Sequence, residues 1–287
     1  MTPMIFFNGA FVPRDAAHVG VHNGGWLHGA GLFETMRAEN GRVFRLRAHL
    51  DRLSRSAEAL LRPVDPAWLP DDAVVSNLLD RCELDTARVR LTVTAGSMIE
   101  SSGSEPGGLT VCMTAARLDA PPQAMYERGV RAALCDHRVS PSDPIAGHKT
   151  TSYLPRLLGL RAAKEKGCFD ALWFTTSNQL AEGSISNVFV VKGGMLITPP
   201  LSIPVLAGIA RATVIESARA EDRRVEERAL TGDDVLDADE VFLTNAIVQV
   251  LPVVGIERHV IGDGTVGSVA RAMLASYRNL VRKECSR

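Results

Sequence analysis

Two Asn-Gly pairs, Asn8-Gly9 and Asn40-Gly41, each sit between short apolar runs, in "IFFNGAFV" and "LFETMRAENGRVFRL". An Asn-Gly dipeptide supplies the two positive-φ residues of a tight turn, so each stretch reads as an antiparallel hairpin. Hairpins at the head of a chain commit it to antiparallel pairing, and no regular alternation of strand and helix follows. The expected fold class is α+β, with mainly antiparallel or mixed sheets.

A helix is expected from about Arg47, where Leu50, Leu53, Ala57, Leu60 and Leu61 recur at helical spacing. A second falls near 66–82, and "ARVRLTVTA" and "GLTVCMTAARL" alternate as strands. The proline pair of "LDAPPQ" marks a linker. The resulting division is a small N-terminal domain over 1–117, a linker over 118–127, and a larger C-terminal domain over 128–287. That larger domain should hold strands over 130–139, in "DALWFTT", around Gly193-Gly194 and in "DEVFLTNA". Its helices are expected after Lys149, near 208–221 and from about 267 to 283.

Composition narrows the function. A net charge of −1 over 287 residues leaves no cationic reservoir for gripping nucleic acid or an anionic membrane. Small-molecule chemistry is the default. The five cysteines form no C-x-x-C pair and the seven histidines show no ligand spacing, so no metal is expected. No basic leader or membrane-length apolar run is seen, which points to the cytoplasm. "GDGTVGSVARAML" has the G-x-G-x-x-G spacing at Gly262, Gly264 and Gly267, but too little chain follows for a dinucleotide unit. It is read as a turn and helix start.

One lysine stands apart. The chain has five lysines against twenty-seven arginines, and Lys149 alone lies in a Gly-His-Lys-Thr-Thr run between an extended segment and an apolar helix. An amine can become a nucleophile or Schiff-base partner, which a guanidinium cannot. Thr150, Thr151, Ser152 and Tyr153 follow it as a polar run suited to lining a cofactor site. Position alone leaves a solvent-facing loop lysine open.

The segment "LAEGSISNVFVVKGGMLITPPLSIPVLAGIARATV" fits the pattern E-x-S-x-x-N-V-F, L-x-T, L-x-G-I-x-R at each defining position. With "HGAGLFETMRAENGRVFRLRAHLDRL" and "DEVFLTNAIVQVLPVVGI", it resembles the fold-type IV, or class IV, pyridoxal-phosphate enzymes over nearly the whole chain. These include branched-chain and D-amino-acid aminotransferases and aminodeoxychorismate lyase. The resemblance implies a two-domain fold with a mixed or antiparallel sheet in the larger domain, pyridoxal 5′-phosphate as cofactor, and a homodimer in which a neighbouring copy's loop completes the site. It implies Lys149 as covalent anchor and proton shuttle, Glu182 against the ring nitrogen, and Tyr153 on the phenolic oxygen. Arg52 would hold the phosphate with the amides of Gly208, Ile209 and Ala210 and of Asn245 and Ala246.

The implied reaction is ping-pong transfer of an amino group between an amino acid and a 2-oxo acid. Elimination of pyruvate from aminodeoxychorismate is the alternative, and a cofactor-binding protein without turnover a third reading. Ala210 and Ala246 stand where branched-chain enzymes usually place threonines, and "TNA" is nearer the lyases. Thr94-Ala95-Gly96 lacks the arginine that D-amino-acid enzymes use for the substrate carboxylate, which disfavours D-substrates. Arg90 and the amides of Ala246, Ile247 and Val248 are candidates for that carboxylate, and Phe33, Trp26 and Ile247 for the side-chain pocket.

Overall fold

Both Asn-Gly turns form the predicted hairpins. Met4–Phe7 (β1) pairs with Ala10–Pro13 (β2) through Asn8 at φ 48° and Gly9 at φ 86°. The computed structural model describes residues 3–97 and 108–286. After Gly24–His28 (α1), Gly31–Glu39 (β3) turns at Asn40 (φ 52°) and Gly41 (φ 75°) into Arg42–Val43 (β4). Leu46–Leu60 (α2) follows on the expected apolar spacing, then Asp72–Arg81 (α3), whose N-terminus is capped by Asp71 Oδ1 accepting from Val74 N at 2.8 Å. Ala87–Thr94 (β5) and Thr110–Arg117 (β6) complete a six-stranded antiparallel sheet, ordered β2-β1-β6-β5-β3-β4.

Along β3 the side chains alternate between faces. Leu32, Met36 and Ala38 join Leu46, Leu53 and Ala57 of α2 and Val75, Leu78 and Leu79 of α3 in one apolar core. Glu34 lies on that same face and is fully buried.

The second half begins with Gln123–Arg128 (α4), which overlaps the stretch expected as linker and runs one residue past it, and Val130–Val139 (β7), the predicted strand. Leu154–Glu165 (α5), Asp170–Thr175 (β8), Leu180–Gly183 (β9), Asn187–Lys192 (β10) and Met195–Thr198 (β11) follow. Then come Ile209–Ala220 (α6), Val225–Glu227 (β12), Gly232–Leu236 (α7), Glu240–Asn245 (β13), Gln249–Ile256 (β14), His259–Val260 (β15) and Ser268–Glu284 (α8). Their sheet is mixed: β7 runs parallel to both β8 and β14, β11 parallel to β12, and the other neighbours antiparallel.

The G-x-G-x-x-G stretch is a turn and helix start. Gly262 and Gly264 take φ 56° and 80°, and Glu240 caps α8, accepting from Val269 N at 3.0 Å and Ala270 N at 2.8 Å. A Cβ on Gly267 would lie 1.8 Å from Glu240 Cδ, so that glycine makes room for a protein carboxylate.

By contacts the chain forms two units, and they do not follow chain order. One comprises Met1–Asp119, His148–Tyr153 and Val281–Arg287; the other comprises Ala120–Gly147 and Leu154–Leu280. The Lys149 segment, expected with the larger domain, is thus counted with the N-terminal one. Among the described residues no helix is long and apolar enough to cross a membrane.

Candidate functional site

Lys149 owes its place to backbone pairing with a strand more than a hundred residues earlier. Phe33 N donates to Lys149 O at 2.9 Å and Thr151 N to Gly31 O at 2.8 Å, so residues 149–151 add to β3 on its open edge. Two side chains brace the segment from either end. His148 Nδ1 lies 2.9 Å from Ser56 Oγ on α2, and Thr151 Oγ1 donates to Gly29 O at 2.7 Å. Ser152 Oγ also donates to Gly29 O, at 3.3 Å. The hydroxyls of Thr151 and Ser152, expected to line a cofactor site, instead tie the lysine segment down. Gly31 permits the approach, since a Cβ there would meet Thr151 Oγ1 at 2.8 Å.

Three of the expected residues converge on the ring of a fourth, Phe33. Lys149 Nζ lies 4.5 Å from the centre of the Phe33 ring and Arg90 Cζ 3.9 Å from it. Tyr153 meets the same ring edge-on at 5.2 Å, with Lys149 Nζ 5.8 Å from its own ring. Arg90 reaches Phe33 because β3 and β5 pair Phe33 with Thr92 and Thr35 with Arg90, which sets the two on a diagonal of one sheet face. Trp26, expected in a side-chain pocket, is 76% exposed on α1 in the isolated chain.

Arg52 lies on the core side of the same sheet, locked into a buried ion cluster that sequence reading missed. Its Nε donates to Glu34 Oε1 at 2.8 Å and its Nη2 to Glu34 Oε2 at 2.5 Å, while His49 Nδ1 stands 2.7 Å from Oε2. Burial alone would raise the pKa of Glu34, but the Arg52 charge and the hydrogen bonds from both partners overturn that and hold it at about 2. Burial lowers the pKa of His49 against the pull of Glu34, and the charges of Arg52 and Lys149 add to the lowering. The available signal was Glu34 itself, a carboxylate at a core-facing position between Leu32 and Met36.

The second unit carries the other candidates. Glu182, 6% exposed at the end of β9, has both oxygens engaged: Arg156 Nη2 donates to Oε1 at 2.6 Å and Leu206 N to Oε2 at 3.0 Å. The turn after it is shaped by Asp170, a fully buried carboxylate also missed from sequence. Asp170 Oδ1 accepts from Ala171 N and Ser184 N, and Oδ2 from Ser186 Oγ at 2.6 Å. Burial pushes the Asp170 pKa up to about 6 despite these donors.

Gly208 opens α6 as its N-cap, with no side chain capping the first turn. A Cβ there would lie 1.9 Å from Asn187 Oδ1, and Asn187 Nδ2 in turn donates to Leu206 O at 2.9 Å. The first-turn amides of Ile209 and Ala210 are therefore presented by a glycine fixed by crowding. At the end of β13, Asn245 Oδ1 accepts from Ile247 N at 2.9 Å and Val248 N at 2.8 Å. Those two amides, expected to contribute to a substrate carboxylate site, are ordered by Asn245 into one turn.

A phosphate-bearing pyridine fits these features. A carboxylate offers about four lone-pair positions, of which the short bonds to Glu182 use two, so it retains capacity for a ring N–H. Among the described residues, buried side-chain polar atoms without partners are Thr94 Oγ1, Arg211 Nε and Thr244 Oγ1. Thr244 directly precedes Asn245, at one of the two turns expected to receive the phosphate, whereas the Arg211 guanidinium is held by Pro199 O and Glu227. No three His, Cys, Asp or Glu side chains are grouped as a metal site among the described residues.

Comparison with known proteins places this architecture. The chain is 32% identical over 286 residues to a putative branched-chain-amino-acid aminotransferase of Methanocaldococcus jannaschii, covering 97% of this chain and 96% of that one. A D-alanine aminotransferase of Bacillus licheniformis is 28% identical, with 99% of each covered. An aminodeoxychorismate lyase of Vibrio harveyi is 28% identical over 83% of this chain and 88% of its own length. The fold superposes on a T.th. branched-chain amino acid aminotransferase solved with pyridoxamine 5′-phosphate at a TM-score of 0.89 and 27% identity, covering 98% and 94%. Residues 31–256 match the amino-transferase class IV family, and the chain belongs to it.

Proposed function

We propose that this aminotransferase holds pyridoxal 5′-phosphate on Lys149 and moves an amino group between an L-amino acid of apolar side chain and a 2-oxo acid. The observation that carries the reading is the placement of Lys149, pinned by backbone on β3 with its amine over the Phe33 ring that Tyr153 and Arg90 also meet. The cofactor, when bound, supplies an electron sink for charge developing at the substrate α-carbon. The chain's residues do the rest. Lys149 Nζ takes and returns the α-carbon proton. Glu182 would accept the ring N–H and Tyr153 Oη would donate to the phenolic oxygen, while the phosphate would fall to the Ile209 and Ala210 amides and to Arg52, whose guanidinium Glu34 already orients.

Phe33 offers an apolar wall and Arg90 a guanidinium for the substrate carboxylate. The Thr94-Ala95-Gly96 turn, with no arginine, supports the L- over the D-series, and the M. jannaschii and T.th. proteins support a branched-chain type of substrate. A homodimer is part of the proposal, supported by the exposed apolar side chains Val19, Val21, Trp26 and Leu27. Sedimentation of the purified chain checks it: a monomer would remove it.

The function is tested by mixing the purified, yellow protein with a panel of L- and D-amino acids and following 2-oxo acid release in one half-reaction. Apolar L-amino acids should react, and borohydride should fix the cofactor on Lys149. Lys149→Ala should lose at least about 100-fold in rate, the lower range for removing a general acid–base group. Pyruvate release from aminodeoxychorismate with no 2-oxo acid present would reassign the chain as a lyase. Colour without either reaction would leave a binding protein.

A further inference from the structure

Arg156 is the feature of the second unit that the proposed chemistry does not use. It is the third residue of α5 and reaches Glu182 by Nη2 at 2.6 Å and Gly183 O by Nη1 at 3.1 Å. Its guanidinium lies 4.6 Å from the Trp173 ring, and Trp173 is itself fixed by Nε1 donating to Ser184 Oγ at 2.8 Å. One turn along α5, Gly159 leaves the room these groups need: a Cβ there would stand 2.9 Å from Ser184 Oγ and 3.1 Å from Trp173 Cζ2. Helix, glycine, indole and carbonyl together hold one guanidinium against one buried carboxylate. The planar fork and the stacked face make this a task for arginine rather than lysine.

We propose that Arg156 is a positioning residue that fixes the Glu182 carboxylate and damps its negative field at the cofactor ring nitrogen. The inference rests on the reading of Glu182 as the ring-nitrogen partner. A carboxylate buried without a cation is costly. Arg156 removes that cost before any cofactor arrives, so the carboxylate is oriented in advance. The same cation would oppose a second positive charge brought against Glu182. A ring nitrogen sharing this carboxylate therefore holds its proton less tightly than one facing Glu182 alone. The electron sink would be weakened accordingly, so that Arg156 would help set its strength.

The test is the ¹⁵N chemical shift of the ring nitrogen in protein loaded with ¹⁵N-labelled pyridoxal 5′-phosphate, followed from pH 6 to 10. Unit charges a few ångströms apart at protein-like screening interact strongly enough to move a titration by about one pH unit, a tenfold change in proton affinity. Arg156→Gln should hold the ring protonated to a pH about one unit higher than wild type, and Arg156→Lys, which keeps the charge but loses the fork, should restore only part of the wild-type curve. Should the Gln variant fail to fold, Arg156→Met, which keeps the stem over Trp173, reads the same shift. Glu182→Gln should move the curve the opposite way. Unchanged titration in the Arg156 variants with a moved Glu182→Gln curve overturns the role of Arg156 and leaves Glu182 in place. An unmoved Glu182→Gln curve removes the ring-nitrogen assignment itself, and the inference with it.

Discussion

Replacing Glu34 by Gln keeps the shape of the buried cluster and removes its charge. Glu34 is 1% exposed, Arg52 7% and His49 2%, so the substitution strands a guanidinium in the core of the N-terminal unit. Two routes give the cost. The Glu34 pKa falls from 4.5 to about 2 on folding, which by linkage corresponds to about 3 kcal/mol at neutral pH. Removing one partner of a buried pair costs roughly 3–5 kcal/mol on general grounds. The sign follows from the lowered pKa: the stabilisation is present above about 4.5 and is lost as pH falls toward 2. His49 adds to the acid sensitivity, because its pKa is also lowered and the unfolded chain takes up that proton first below about 6.5. Urea unfolding of both proteins in phosphate-free buffer should show Glu34→Gln weaker by about 3 kcal/mol at pH 7, with the difference closing toward pH 3. A gap under about 1 kcal/mol at pH 7, or one unchanged at pH 3, would refute the account of Glu34 as a buried anion paired to Arg52.

Two further outcomes follow from the second unit. The Asp170 pKa is raised from 3.8 to about 6, so its contribution is present below 3.8 and lost as pH rises through 6, a swing of about 3 kcal/mol. Asp170→Asn, whose Nδ2 can donate to Ser186 Oγ, should flatten the stability profile between pH 4 and 6; an unaltered slope in urea titrations would show that Asp170 is ionised throughout. Gly208→Ala places a Cβ 1.9 Å from Asn187 Oδ1, so Asn187 must shift and loosen Leu206, at about 1–3 kcal/mol. Its melting temperature should fall and cofactor fluorescence titration should weaken; normal binding would mean that α6 does not receive the phosphate.

What was legible in the sequence was what short-range chemistry decides. Asn8-Gly9 and Asn40-Gly41 turned the chain as their φ values require, and the leucine spacing after Arg47 placed α2 to within a residue. Parallel pairing of β7 with β8 and β14 was not readable, because register between strands distant in sequence leaves no local trace. The site divides in the same way. Lys149 and Glu182 stand in motifs that a family resemblance carries, whereas Glu34, His49, Asp170 and Arg156 act through partners 15 to 26 positions away. Glu34 had a trace, a charge where alternation calls for an apolar side chain. Arg156 had none, one arginine among twenty-seven, until α5 laid it across β9.

The misread hydroxyls show why the distinction matters for function. Thr151 and Ser152 looked like lining groups because polar side chains beside a reactive lysine are usually read as ligands. Their actual bonds to Gly29 O do something a ligand contact cannot, which is to hold the lysine backbone on β3 whether or not a ligand is present. Asn245 repeats the theme, gathering the Ile247 and Val248 amides into its own turn. Arg156 does so for Glu182. In each case a polar residue next to a candidate reactive group serves rigidity first, and a site prepared in this way gives up little further order when it binds.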